Sequence, residues 1–538
     1  MLEIVKTQNG LVKGLPLSGK YEGVVEFCSV PYAKPPVGDL RWKPPAALED
    51  WSGVRDCTQF FSAPMQVRSK ESEGLPISED CLYMVIDTAA KAAGEKRPVF
   101  VWFHGGALEN GAAYSLDASK ASLAKKGAVV VSVEQRLNLF GYMALPQLSE
   151  EQGGKSGNYG LMDEIMALYW IRDNIAAFGG DPERITVGGQ SGGTDKLVSL
   201  AVCPAAKGLV KGMICESGLK WAQTYVDLCD KEESCREFLK DIGIDPNLPL
   251  EELRKIDANV LMQRKRKGSH GEMICDHELI LAHTTREILD LDGAMAGINV
   301  LCGTNLGEAK VMEAGLTKEQ MKKTPQLNIS SAEEFYAFYR KLLGPLYDEY
   351  DFEELVPVTD DNANYTMRRL ASLGLTPPVG NNSSRSLMIG RVFGEHVSGL
   401  YTDSEVFTYL FERAPKAKPG YEEWGKTSLS GNAVATICND EGQFSWHCCE
   451  LDYAYHCLEM KSRMYEYTAE DYRIADYMND YWFNFIQCGD PNGENLPEWP
   501  AASDDHGYMV FGNEPKGYSG MTKLDQLIYK FVTAYFPV

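Results

Sequence analysis

The sequence predicts an α/β protein with a mostly parallel central sheet, flanking helices and helical insertions. Three observations predict it. Short β-branched runs bounded by Gly, Asn or Asp recur along the 538 residues, apolar without alternation, as strands buried on both faces are. A run with helical spacing stands between two of them, and strand, helix, strand in one sheet implies a right-handed crossover. The composition, 44% hydrophobic, 24% charged and 10% aromatic, is that of an ordinary globular protein with a large buried core.

In chain order, the strand runs are 98–103 (PVFVWF), 128–133, 185–188 (ITVG), 298–302 (INVLC), 405–410 (EVFTYL) and 508–511 (YMVF). Between the second and third, Leu161, Ile165, Leu168, Ile171 and Ile175 recur at helical spacing until Gly179 and Gly180 end the pattern. A long helix is expected over 470–489. Segments 219–297 and 310–400 are rich in Leu, Lys and Glu with few strand runs, and no repeat or Gly/Ser linker sets them off. They are expected to be cap insertions into a single domain spanning 1–538. The RKRK run at 264–267 reads as a solvated helix end or loop and is assigned no function.

The net charge of −23 disfavours nucleic acid and anionic membranes as partners, because both reward a basic face. The best apolar run, 128–133, is far too short to span a bilayer. The start, MLEIVKTQNGLVKG, lacks the apolar stretch of a secretory leader, and the 14 cysteines form no CxxC pair. Reduced thiols and a cytoplasmic location are therefore expected. Nothing in the sequence speaks to oligomeric state.

Ser191 lies in Gly189-Gln190-Ser191-Gly192-Gly193, after a strand run and before a plausible helix. A nucleophile elbow needs that context: the turn is too tight for flanking side chains, and its strained backbone pushes the hydroxyl clear of the sheet. The bland alternative is a Gly-rich loop whose serine caps the helix. Upstream, His104-Gly105-Gly106-Ala107 follows another strand run and reads with the elbow as an oxyanion loop. Small residues there let N–H groups approach the negative oxygen of a tetrahedral intermediate, and Gly106, Ala107 and Gly192 are the expected donors. His104 reads as a support of this loop rather than as the base.

With these motifs in hand, the chain resembles the type B carboxylesterases, the cholinesterase-like branch of the α/β-hydrolase fold. The resemblance runs nearly end to end: FCSVPYAKPPVGDLRWKPP near the start, SEDCLYMVI at 78–86, NYGLMDEIMALYWIRDNIAAFGGDPERITVGGQSGG through the elbow, and DYWFNFIQCGDPNGENLPEWP near the C-terminus. It implies that Glu308, in Gly303-Thr304-Asn305-Leu306-Gly307-Glu308, is the acid, and that His447 is the base. It also implies that Ser217 supports the acid and that Arg41 and Glu79 form a structural ion pair. His456, nine residues after His447, is a rival base that only the resemblance sets aside. Zinc is disfavoured for His447, Cys448, Cys449, His456 and Cys457, since adjacent cysteines do not readily share one tetrahedral ion. No phosphate loop, dinucleotide fingerprint or HExxH is present, and the implied triad needs no cofactor.

The chain departs from the family pattern at Gln190, where many relatives have Glu, at Gly192, where many have Ala, and at Ala107 in place of a third Gly. Cys448 stands where Gly is usual, and Cys81 lacks the upstream partner that secreted relatives provide. The expected function is hydrolysis of uncharged alkyl or aryl esters through an acyl-enzyme. Amide or carbamate hydrolysis on the same triad is the nearest alternative, and a non-catalytic binding protein is one from another class. Choline esters are not expected to be favoured, because 66–78 holds no aromatic residue to face a quaternary ammonium.

Overall fold

The β-branched runs pair as strands, and their register decides where the chemistry-bearing loops emerge. The structure is a computed structural model and describes residues 2–67, 74–114, 119–219, 224–263, 271–291, 293–308, 327–377, 386–419 and 445–535. The RKRK run and parts of both expected insertions, including 310–326 and 378–385, lie outside the described residues. By contact the chain divides into two compact units, one of Met1–Ile214, Gln223–Met295 and Ile486–Cys488, the other of Cys215–Ala222, Ala296–Phe485 and Gly489–Val538.

In the first unit Arg97–Phe103 is the central strand, buried from Pro98 onward as its unbroken apolar run requires. It pairs in parallel with Val129–Val133 on one side and with Gly180–Gln190 on the other. Antiparallel strands Tyr83–Thr88 and Val25–Pro31 extend this sheet beyond Val129–Val133. Phe103 pairs with Gly189, so His104-Gly105-Gly106 and Ser191 leave the sheet at the same carboxyl edge, where ligands of parallel sheets bind. The run read as 185–188 is longer in the structure: pairing with the central strand begins at Gly180, breaks over Asp-Pro-Glu-Arg, and resumes at Ile185. Pro182 has no N–H to give the ladder, so this stretch reads as a turn in sequence.

The helix Tyr159–Asn174 buries its predicted apolar face and also Asp163 and Glu164. Asp163 accepts from Arg136 at both carboxylate oxygens, Nε to Oδ2 2.8 Å and Nη2 to Oδ1 2.7 Å, which offsets the desolvation of both charges. A short 3-10 turn, Ile175–Phe178, continues the helix to Gly179, whose φ of 89° ends it as the sequence predicts.

In the second unit Asn299–Asn305, Val406–Phe411 and Tyr508–Phe511 are parallel, and Pro515–Tyr518 adds an antiparallel strand. The helix Ala469–Cys488 begins with a capping box between Thr468 and Asp471 and ends at Gly489. Trp482 from this helix packs its ring 5.4 Å from Tyr409, and Trp499, from the LPEWP motif, lies 5.4 Å from Phe511 and 5.3 Å from Tyr481. Such pairs add about 0.5–1.5 kcal/mol each beyond their buried area. That motif is thus core packing against the strands Val406–Phe411 and Tyr508–Phe511.

Candidate active site

Ser191 has φ 56° and ψ −119° between the strand Gly180–Gln190 and the helix Gly192–Ala201, and its side chain makes no capping bond to that helix. A serine held at positive φ is strained, in a backbone conformation that side chains rarely adopt. The glycines around it answer to close approach. A Cβ on Gly193 would lie 2.3 Å from the Phe103 carbonyl oxygen, and one on Gly192 2.3 Å from the Ala107 nitrogen. Gly106, Ala107 and Leu108 all take positive φ, at 101°, 55° and 61°, so the loop is sharply folded against the elbow.

Several side chains hold that loop. Gln66 clamps Gly111 with both ends of its amide, donating to its carbonyl at 2.7 Å and accepting from its N–H at 2.9 Å. Asn138 donates through its backbone to Leu108 at 2.7 Å and through its amide to Glu109 at 3.1 Å. His104 is buried, with Nδ1 2.7 Å from the Gly105 carbonyl oxygen and Nε2 2.8 Å from the Gln135 amide. Burial, and then the charge of Lys196, push its imidazole well below the usual histidine range. Of the 66–78 stretch, 68–73 lie outside the described residues.

In the second unit, Glu308 follows the carboxyl end of Asn299–Asn305 and is 2% exposed. Its Oε2 lies 3.0 Å from Nδ1 of His447. Ser445, two residues before His447, is pinned to the same strand ends: its hydroxyl donates to Phe411 O at 2.5 Å and accepts from Leu306 N at 2.9 Å. Asn305 adds a bond to Trp446 O at 2.7 Å. His456 pairs instead with Asp476, Nε2 to Oδ1 2.8 Å, on the surface side of the helix Ala469–Cys488. The structure therefore gives Glu308 to only one of the two rival histidines.

Ser217 Oγ lies 2.5 Å from Oε1 of Glu308 and 2.6 Å from Oε1 of Glu450. Glu450, a residue the sequence reading passed over, is fully buried and also bonds to the Asn305 amide. Burial, and then the negative charges of Glu308 and Glu216, push its carboxyl well above the usual carboxylate range. Ser217 therefore links the two carboxyl groups. The only sequence signal was position, three residues after His447 within the segment that drew attention to the histidine.

In the first unit Arg41 and Glu79 form a bidentate pair, with Nε to Oε2 at 2.6 Å, and Arg41 also donates to Ile256 O at 2.6 Å. Cys81 is buried and free. Among the described residues no group of three or more His, Cys, Asp or Glu is arranged to hold a metal ion, and no helix is long and apolar enough to cross a membrane.

The profile of the Carboxylesterase family matches residues 2–529. The chain is 31% identical to a para-nitrobenzyl esterase of Bacillus subtilis (strain 168) over 518 residues, covering 93% of this chain and 92% of that one. It is 34% identical to a fumonisin B1 esterase of Sphingopyxis macrogoltabida over 536 residues, covering 96% and 87%. Among solved structures it resembles a PNB esterase with a TM-score of 0.70 at 26% identity, covering 98% of this chain and 99% of that chain. A Geobacillus stearothermophilus carboxylesterase at pH 6.2 gives 0.69 at 26% identity, covering 98% and 100%.

Proposed function

The chain belongs to the carboxylesterase family and is a serine hydrolase of carboxylic esters, and from that premise we propose that Ser191 is its nucleophile, His447 its general base and Glu308 the carboxylate orienting the base. The observation that carries this is the 3.0 Å contact of Glu308 with Nδ1 of His447. A carboxylate on Nδ1 fixes the proton there and leaves Nε2 as the acceptor that the Ser191 hydroxyl needs. Ser191 Oγ attacks the ester carbonyl as His447 takes its proton, and the negative oxygen accepts from the N–H groups of Gly106, Ala107 and Gly192. Collapse expels the alcohol, protonated by His447. Water, deprotonated by the same imidazole, then releases the acid. Ser217 supports this through its hydrogen bond to Oε1 of Glu308, which leaves Oε2 to the imidazole. Under the same reading, 219–297 and 310–400 cap one hydrolase domain, and the protein works in the cytoplasm without nucleic-acid partners.

Gly192→Ala tests the oxyanion loop. The added methyl meets the Ala107 backbone, which cannot yield as a flexible side chain would, and overpacking of this kind costs about 1–3 kcal/mol. Turnover of p-nitrophenyl butyrate is expected to fall at least about tenfold with KM little changed. An unaltered kcat would show that the Ala107 backbone yields to the alanine that many relatives carry at this place.

Uncharged alkyl and aryl esters are the proposed substrates, and an acyl-matched panel of esters, amides and carbamates measures the preference. Within it, kcat/KM for butyrylcholine should not exceed that for its neutral isostere 3,3-dimethylbutyl butyrate, because long-range attraction by a negative protein speeds encounter without supplying a cation-binding face. A choline preference of about tenfold that survives high salt, where steering is screened, would overturn the substrate class. Amide or carbamate turnover above that of the matched ester would overturn the ester preference.

A further inference from the structure

Lys196 lies five residues after Ser191 in the helix Gly192–Ala201 and is fully buried. Its ammonium donates not to a carboxylate but to main chain, the carbonyl of His104, at 3.0 Å. That carbonyl belongs to the peptide that opens the Gly105-Gly106-Ala107 turn. Gly105 in turn sits against the elbow: a Cβ built on it would lie 2.7 Å from Gln190 O and 3.5 Å from the Ser191 Cβ.

The groups around the ammonium come from four elements. Glu134 and Gln135 follow the strand Val129–Val133, Glu164 lies on the helix Tyr159–Asn174, Asp195 is its neighbour in sequence, and His104 stands across from it. Burial pulls Lys196 down to about 8 and pushes Glu134 and Glu164 up to about 8. Turned with its oxygen inward, the Gln135 amide accepts from Lys196 and donates to Val133 O at 3.1 Å. A core position of this kind is filled at less cost by an apolar side chain of the same length. A buried cation here stabilises little by itself, and its main-chain bond is to the His104 carbonyl.

We propose that Lys196 is the positioning residue of the oxyanion loop: its ammonium draws the His104 carbonyl towards the elbow helix and so fixes the backbone from which Gly106 and Ala107 present their N–H groups. This rests on the reading of 104–107 as the oxyanion loop. The bond forms before substrate arrives, so its loss falls on the transition state, where charge develops on the oxygen, more than on ground-state binding.

The test is Lys196→Met, which conserves length and volume and removes the donor. The variant should melt within a few degrees of the parent. Its kcat for p-nitrophenyl butyrate should drop about ten- to a hundredfold with KM changed less than about threefold, and its affinity for a trifluoromethyl ketone, a mimic of the tetrahedral intermediate, should fall in step with kcat. Lys196→Gln keeps a donor on a shorter arm and should recover part of the loss. A folded Lys196→Met with full kcat and full ketone affinity overturns the proposal. If that variant does not fold, Lys196→Gln decides: reduced kcat at constant KM and melting temperature supports the role, and full kcat overturns it. Fluorophosphonate labelling of the parent enzyme keeps the two readings apart. A parent not labelled at Ser191 overturns the active-site assignment itself, whereas a labelled parent with an undiminished Lys196→Met overturns the role of Lys196 alone.

Discussion

Ser191→Ala is expected to abolish turnover of a p-nitrophenyl ester, with kcat lower by about a millionfold if the triad acts as a unit. Alanine removes the only atom that can carry the acyl group and leaves the donors of Gly106, Ala107 and Gly192 in place. The residue of activity should therefore be what bound, polarised ester shows towards water, about 10³–10⁴ above the uncatalysed rate. The same variant should not react with a fluorophosphonate. In the parent, the serine oxygen displaces fluoride from phosphorus, and the adduct maps to the peptide containing Ser191. The substitution should leave stability close to that of the parent, since the Ser191 side chain makes no capping bond to the following helix. A variant that still labels, or retains more than about a hundredth of its kcat, would place the nucleophile elsewhere.

His447→Ala should silence the enzyme almost as completely, by about 10⁴ or more in kcat, while His456→Ala retains most activity. The difference follows from their partners. His447 has the buried carboxylate of Glu308 on Nδ1, so its tautomer is fixed and an imidazolium there is stabilised as it forms. His456 meets Asp476, whose side chain is 69% exposed, and a pair so open to water is worth little. Since only a neutral imidazole accepts the serine proton, kcat/KM of the parent should rise with pH through the titration of His447. The two alanine variants, assayed side by side with the same ester, settle which histidine is the base. The reverse ranking would mean that Glu308 orients an imidazole with no part in the chemistry.

Much of this was legible in the chain. Strands such as Arg97–Phe103 announced themselves because a run buried on both faces has no reason to alternate. Ser191 stood out because its turn tolerates only glycine nearby, a constraint written within five residues. Glu308 and His447 were read as acid and base through the resemblance, as nothing local distinguishes Glu308 from other glutamates or His447 from His456.

Burial and partnership across long stretches of chain were not legible. Ser217 meets Glu308 from 91 residues away and Glu450 from 233. Lys196 reaches the His104 carbonyl across 92. Nothing in the sequence marks Lys196 or Glu450, because solvent exposure is the default for both residue types. The strand that runs on past Asp-Pro-Glu-Arg was shortened in the reading for a related reason: a break in the ladder looks like an end when the partner strand is not in view. The sequence by itself determined the parallel strand runs, their order and the turn at Ser191, since backbone conformation and apolar patterning are local properties. Only the tertiary structure decided which histidine receives a carboxylate, which glutamate shares the Ser217 hydroxyl with Glu308 and which carbonyl a buried lysine holds, because the energy of a charge depends on what surrounds it in space.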